Sequence, residues 1–94
     1  MRTEARTWNE RCDAARSVPI AELVSRLGLS EPKKCGKQLL MRCPFHDDRR
    51  PSLSLEPVKG WWNCFGCGEG GDSIKLWMRA RHVGFADAVR EIVP

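Results

Sequence analysis

The chain has 94 residues, 41% of them apolar, and 16 Lys and Arg against 12 Asp and Glu leave a net charge of +4. That length carries one small globular domain with a thin core, and the composition excludes a disordered tail. The opening stretch MRTEARTWNERCDAARS is charged throughout and no apolar run approaches the ~20 residues of a membrane span, so the sequence reads as a cytoplasmic protein with no membrane partner.

Ala5, Trp8, Cys12 and Ala15 recur at helical spacing and predict an amphipathic helix over about residues 3–16, with Trp8 facing inward. Ile20, Leu23, Val24 and Leu27 repeat the pattern, with Pro19 suited to a first turn and Gly28 to a stop, which predicts a second, short helix. SEPKKCGK reads as a basic loop. The runs KQLLMR, SLSLE and GWWN, separated by turns bearing Pro and Gly, predict a three-stranded antiparallel sheet. Beyond the glycines, Asp72 or Ser73 caps a helix that turns Ile74, Trp77 and Met78 to one side. Gly84 breaks it, and Phe85, Ala88, Val89 and Ile92 begin and fill a last amphipathic helix. The fold class is therefore small α+β, a sheet flanked by short helices.

The chemistry concentrates in two close pairs, Cys43-x2-His46 and Cys64-x2-Cys67, with 17 residues between them. Each pair suits a tight turn, and three thiolates with one imidazole make a tetrahedral zinc set that leaves no position for a reacting water. One structural zinc is the expectation, and with it a zinc ribbon. Five cysteines in a chain with no export signal favour this over disulfides. Cys12 lies on the apolar stripe of the first helix and reads as a core residue. Cys35 is too far from either pair to join it, and His82 reads as an exposed residue near a helix end. Gly66, Gly68 and Gly71 satisfy G-x-G-x-x-G, but Cys67 is already a metal ligand and no G-K-[ST] follows, so a nucleotide site is not expected.

Between Glu31 and Trp62 the charge is uneven, with Lys33, Lys34, Lys37, Arg42, Arg49, Arg50 and Lys59 against Glu31, Asp47, Asp48 and Glu56. Strand parity sorts Leu39, Met41, Leu53, Leu55 and Trp62 onto one face, and Gln38, Arg42, Ser54, Glu56, Lys59, Trp61 and Asn63 onto the other. An aromatic ring among cations is a grip for single-stranded nucleic acid, by base stacking and phosphate contacts. A solvated basic face and a Trp61 packed beneath the first helix are the alternatives that parity leaves open.

The stretch KKCGKQLLMRCPFHDDRRPSLSLEPVKGWWNCFGCGEGGDSIKLW resembles the zinc-binding domain of bacterial-type DNA primases, including those of phages and mobile elements. The likeness runs over about residues 18–93, so 18–94 is taken as that domain and 1–17 as a helical extension. It includes both ligand pairs, the PS after the first pair and CFGCG followed by GGD. The resemblance implies a module that engages single-stranded DNA template in replication priming, through Lys33, Lys34, Lys37, Arg42, Arg49, Pro51, Lys59 and Trp61. It implies as partners a TOPRIM-type polymerase domain and a replicative helicase. No D-x-D pair is present and adjacent Asp47 and Asp48 are poorly placed to hold two metal ions, so no catalytic centre is expected within these residues. Two other readings stand beside it: a zinc ribbon that docks a replicase, helicase or separate primase without touching DNA, and a duplex-binding regulator.

Overall fold

The computed structural model describes residues 7–45 and 51–94. In chain order it has α1 (Trp8–Ser17), α2 (Ile20–Leu27), β1 (Lys33–Cys35), β2 (Gln38–Met41), β3 (Leu53–Glu56), β4 (Trp61–Cys64), β5 (Gly70–Asp72), α3 (Ser73–Arg81) and α4 (Phe85–Ile92). The strands form one antiparallel sheet in the order β1-β2-β3-β4-β5. The sheet thus has five strands where three are expected from sequence, and both additions lie at the edges. β1 forms within the expected basic loop, because Gly36 at φ 65° begins a two-residue turn that folds Lys33–Cys35 back onto β2. β5 is three residues of Gly-Gly-Asp, with no apolar alternation to announce it.

Local chemistry sets the helix ends. Thr7 and Glu10 form a reciprocal capping box at the start of α1. Gly28, at φ 71°, ends α2 in the left-handed conformation. Of the two residues considered for capping α3, Asp72 does so, its Oδ1 accepting from the Lys75 N–H at 2.9 Å.

Two apolar clusters meet across the helices. Ile20, Val24 and Leu76 join Met41, Leu53, Leu55 and Trp62 against one face of the sheet. Leu23, Ile74 and Trp77 turn the other way and pack with Cys12, Ala15, Ala88, Val89 and Ile92. α2 and α3 therefore divide their side chains between both clusters and rivet the sheet to the helical layer.

Trp8 corrects an expectation. It lies on the helical stripe, yet it is 41% exposed. It is the first residue of α1, and its neighbour there is Phe85, itself the first residue of α4, with ring centroids 6.3 Å apart. The guanidiniums of Arg11 and Arg90 approach the Trp8 ring at 6.0 and 5.8 Å.

Candidate metal centre and nucleic-acid interface

The ladder brings Cys43 to the Cys64–Cys67 pair. β2 and β4 both run antiparallel to β3 and so finish at the same end of the sheet, where Met41 and Cys64 flank Leu53 in register. Cys43 follows β2 by two residues and is buried, Cys64 ends β4 and is buried, and Cys67 lies in the exposed turn beyond. That turn is closed by two backbone hydrogen bonds, from the Gly68 N–H to the Cys64 carbonyl at 2.9 Å and from the Cys64 N–H to the Glu69 carbonyl at 2.8 Å. Gly68 sits at φ 77°, which a residue with a Cβ adopts only under strain. A third bond, from the Phe65 N–H to the Ser52 carbonyl at 2.9 Å, ties the turn to the residue before β3.

The Sγ atoms of Cys43, Cys64 and Cys67 all lie within 4.8 Å of one another. Thiolates around tetrahedral zinc stand ~3.8 Å apart for Zn–S bonds of ~2.3 Å, so this cluster fits the ion with little adjustment. Its electrostatics ask for a cation. Burial pushes the Cys43 thiol up to about 12, the Phe45 backbone N–H works the other way, and the neighbouring Cys64 and Cys67 sulfurs add to the rise. The buried Cys43 thiol does not ionise readily by itself, and a divalent cation is what makes a thiolate stable there. Bound zinc would tie the ends of β2 and β4 together without Cys12 or Cys35. Cys12 is buried in the helical cluster, as expected, and Cys35 is exposed on the edge strand. His46 and Arg49 lie outside the described residues.

Two features beside the cluster escaped the sequence reading. The Ser52 Oγ lies 3.4 Å from the Cys64 Sγ; PS is part of the resemblance, but spacing alone assigns it no contact. Phe45, two residues beyond Cys43, packs on Trp62 at 5.4 Å, while the Arg79 guanidinium stands 5.0 Å from the Phe45 ring and Arg79 Nη2 donates to Glu69 Oε2 at 2.9 Å. That arrangement joins both turns to α3. Nothing in the separations between residues 45, 69 and 79 hints at it.

The model of the CHC2 zinc finger matches residues 10–94. This chain belongs to the CHC2 zinc-finger family, the zinc-binding domain of DNA primases. The zinc of a CHC2 finger is structural, and the Cys43, Cys64 and Cys67 cluster is consistent with holding it. Similar relatives include the DNA primase of Lactococcus lactis, 41% identical over 85% of this chain and 12% of that protein. The DNA primase of Streptomyces coelicolor is 42% identical over 81% of the chain and 12% of the relative. The CHC2 finger described here therefore spans about an eighth of the length of the curated relatives it matches. A crystal structure of the zinc-binding and RNA polymerase domains of Aquifex aeolicus primase superposes with a TM-score of 0.78 at 32% identity, covering 87% of this chain and 20% of that one.

The outer face of the CHC2 finger's sheet is polar. The register aligns Lys33, Leu40, Ser54, Asn63 and Gly70 in one row, and Cys35, Gln38, Glu56, Trp61 and Asp72 in the next. Trp61 is 51% exposed, on the face away from the helices, with the Lys59 ammonium 5.3 Å from its ring. Lys33, Lys37, Arg42 and Pro51 are exposed as well, Lys37 at the tip of the β1–β2 hairpin. Lys34 pairs with Leu39, so the ladder turns it to the opposite side of the sheet from Trp61, at the outer edge of β1. Among the described residues no helix is long and apolar enough to cross a membrane.

Proposed function

We propose that this CHC2 finger is the single-stranded DNA template-binding module of a primase, acting in replication priming through the outer face of its sheet. The observation that carries the reading is Trp61, a large ring left half in solvent on a strand, with a lysine beside it and further cations on the β1–β2 hairpin of the same sheet. Such a ring stacks on a base for ~1–3 kcal/mol while the ammonium meets a phosphate. Lys33, Lys37, Arg42, Lys59 and Trp61 form the grip, Pro51 adds to it, Lys34 reaches a strand only around the β1 edge, and Arg49, outside the described residues, joins them on the resemblance alone. His46 supplies the fourth zinc ligand beside Cys43, Cys64 and Cys67. Residues 18–94 make up the domain, and 1–17 a helical extension whose α1 buttresses α3 and α4. Primer synthesis belongs to a TOPRIM-type polymerase domain, which the finger serves together with a replicative helicase.

The test is titration of zinc-loaded protein with single-stranded and duplex oligonucleotides at two salt concentrations, following tryptophan fluorescence. Single strands are expected to quench Trp61, with affinity falling as salt rises. Lys33→Ala should lower the slope of log K against log salt by about 0.7, one phosphate contact on a single strand. Absence of single-strand binding at low salt would sink the reading and leave protein docking as the role of the ribbon.

A further inference from the structure

The outer face of the sheet is not uniform. On its β2–β3 half the polar side chains are engaged with one another: Gln38 Nε2 donates to Glu56 Oε1 at 2.7 Å, and Ser54 Oγ donates to Gln38 Oε1 at 2.9 Å. The β4–β5 half is different. Asn63 is exposed, and its amide makes no hydrogen bond among the described residues. Its cross-strand neighbours are Ser54, already committed to Gln38, and Gly70, which has no side chain. A Cβ at Gly70 would stand 3.2 Å from Asn63 Oδ1 and 2.9 Å from the Trp62 carbonyl oxygen, so glycine there is what lets the amide lie over β5. Beside it a groove of about 560 Å³ is lined by Lys59, Trp61, Asn63, Gly70, Gly71 and Asp72, with Gly60 and Trp62 completing it.

We infer that this groove receives one unpaired nucleobase and that Asn63 is its specificity-determining residue, reading the edge of a base whose face stacks on Trp61. The inference rests on the template-binding reading above and adds a division of labour to it. Trp61 presents a π-face, which every base can meet, and Lys59 presents a charge, which every phosphate can meet. Neither distinguishes one base from another. An amide does, because it offers one donor and one acceptor side by side, and a base edge either complements that pair in place or leaves it unmatched. In the committed half of the face the equivalent groups are spent on each other. Asn63 is the polar side chain of the strand core that stands beside the aromatic ring with both its donor and its acceptor open.

The experiment measures binding of zinc-loaded protein to oligothymidylates carrying a single dA, dC or dG, comparing the unaltered chain with Asn63→Ala, Asn63→Asp and Trp61→Ala. Zinc content and thermal melting are followed on each variant, and Asn63 is exposed enough that neither should change. The unaltered chain should favour one inserted base by about fivefold or more, the scale of a two-bond amide contact. Asn63→Ala should level the four affinities, Asn63→Asp should reorder them because the donor is gone, and Trp61→Ala should weaken all four together. If Trp61→Ala weakens binding while both Asn63 variants keep the original ranking, the specificity role fails and template binding stands. If the unaltered chain binds no single strand, both fail.

Discussion

Cys64 answers to three demands at once. It closes β4 in register with Leu53, its carbonyl anchors the following turn through Gly68, and its sulfur meets those of Cys43 and Cys67. Structural zinc in small domains is worth about 10–16 kcal/mol at neutral pH, as much as the whole stability of an ordinary domain this size. Cys64→Ser is therefore expected to reduce bound zinc from one equivalent to none and to abolish cooperative melting of the sheet; a variant that keeps both would refute the metal assignment. Gly70 is constrained by space. Because a Cβ there would meet the Trp62 carbonyl at 2.9 Å, Gly70→Ala should cost about 1–3 kcal/mol in a urea titration while zinc content is unchanged. Loss of zinc from that variant would show that the strand and the metal turn fail together.

At the scale of elements, α3 and α4 are held by Glu91 as well as by their apolar faces. Glu91 Oε1 accepts from Trp77 Nε1 at 2.8 Å and from Arg81 Nε at 3.1 Å. The Trp77 hydrogen bond first, then that of Arg81, holds this carboxyl below its ordinary value of 4.5. A depressed carboxyl contributes stability that is present above the ordinary value and lost as pH falls through the lowered one. Melting temperature should therefore decline on acidification below about pH 4.5, and Glu91→Gln should flatten part of that decline. An identical pH profile for the variant would mean the two donors are equally served by a neutral amide. The far end of α4 is finished by cations from other helices, Arg26 Nη1 donating to the Ile92 carbonyl at 3.0 Å and Arg11 Nη2 to the Val93 carbonyl at 3.4 Å. Cations at that end also complement the helix dipole.

Across the whole molecule, the metal turns draw on the sheet-side cluster, which contains Cys43 and Cys64, while Ala88, Val89 and Ile92 belong to the helical one. Chelation of zinc should accordingly expose the amides of Leu55 and Cys64 to hydrogen exchange before those of Ala88 and Val89. Simultaneous loss would show that α2 and α3 couple the two clusters into one cooperative unit. The sequence by itself determined the parts governed by near neighbours: four helices from their apolar spacing, the three central strands from alternation, and the Cys64–Cys67 turn from its separation. It also determined that Trp61 and Trp62 take opposite faces, because a strand alternates by geometry. Tertiary structure decided what depends on residues far apart in the chain. The edge strands β1 and β5 exist through hydrogen bonds to a neighbour, which leave no apolar period to read. Trp8 stays half in solvent because cover at the start of α1 comes from α4. Trp61 is open, rather than packed beneath a helix, because α2 and α3 both rest on the face that carries Trp62, and Asn63 is open because the residue across from it is a glycine.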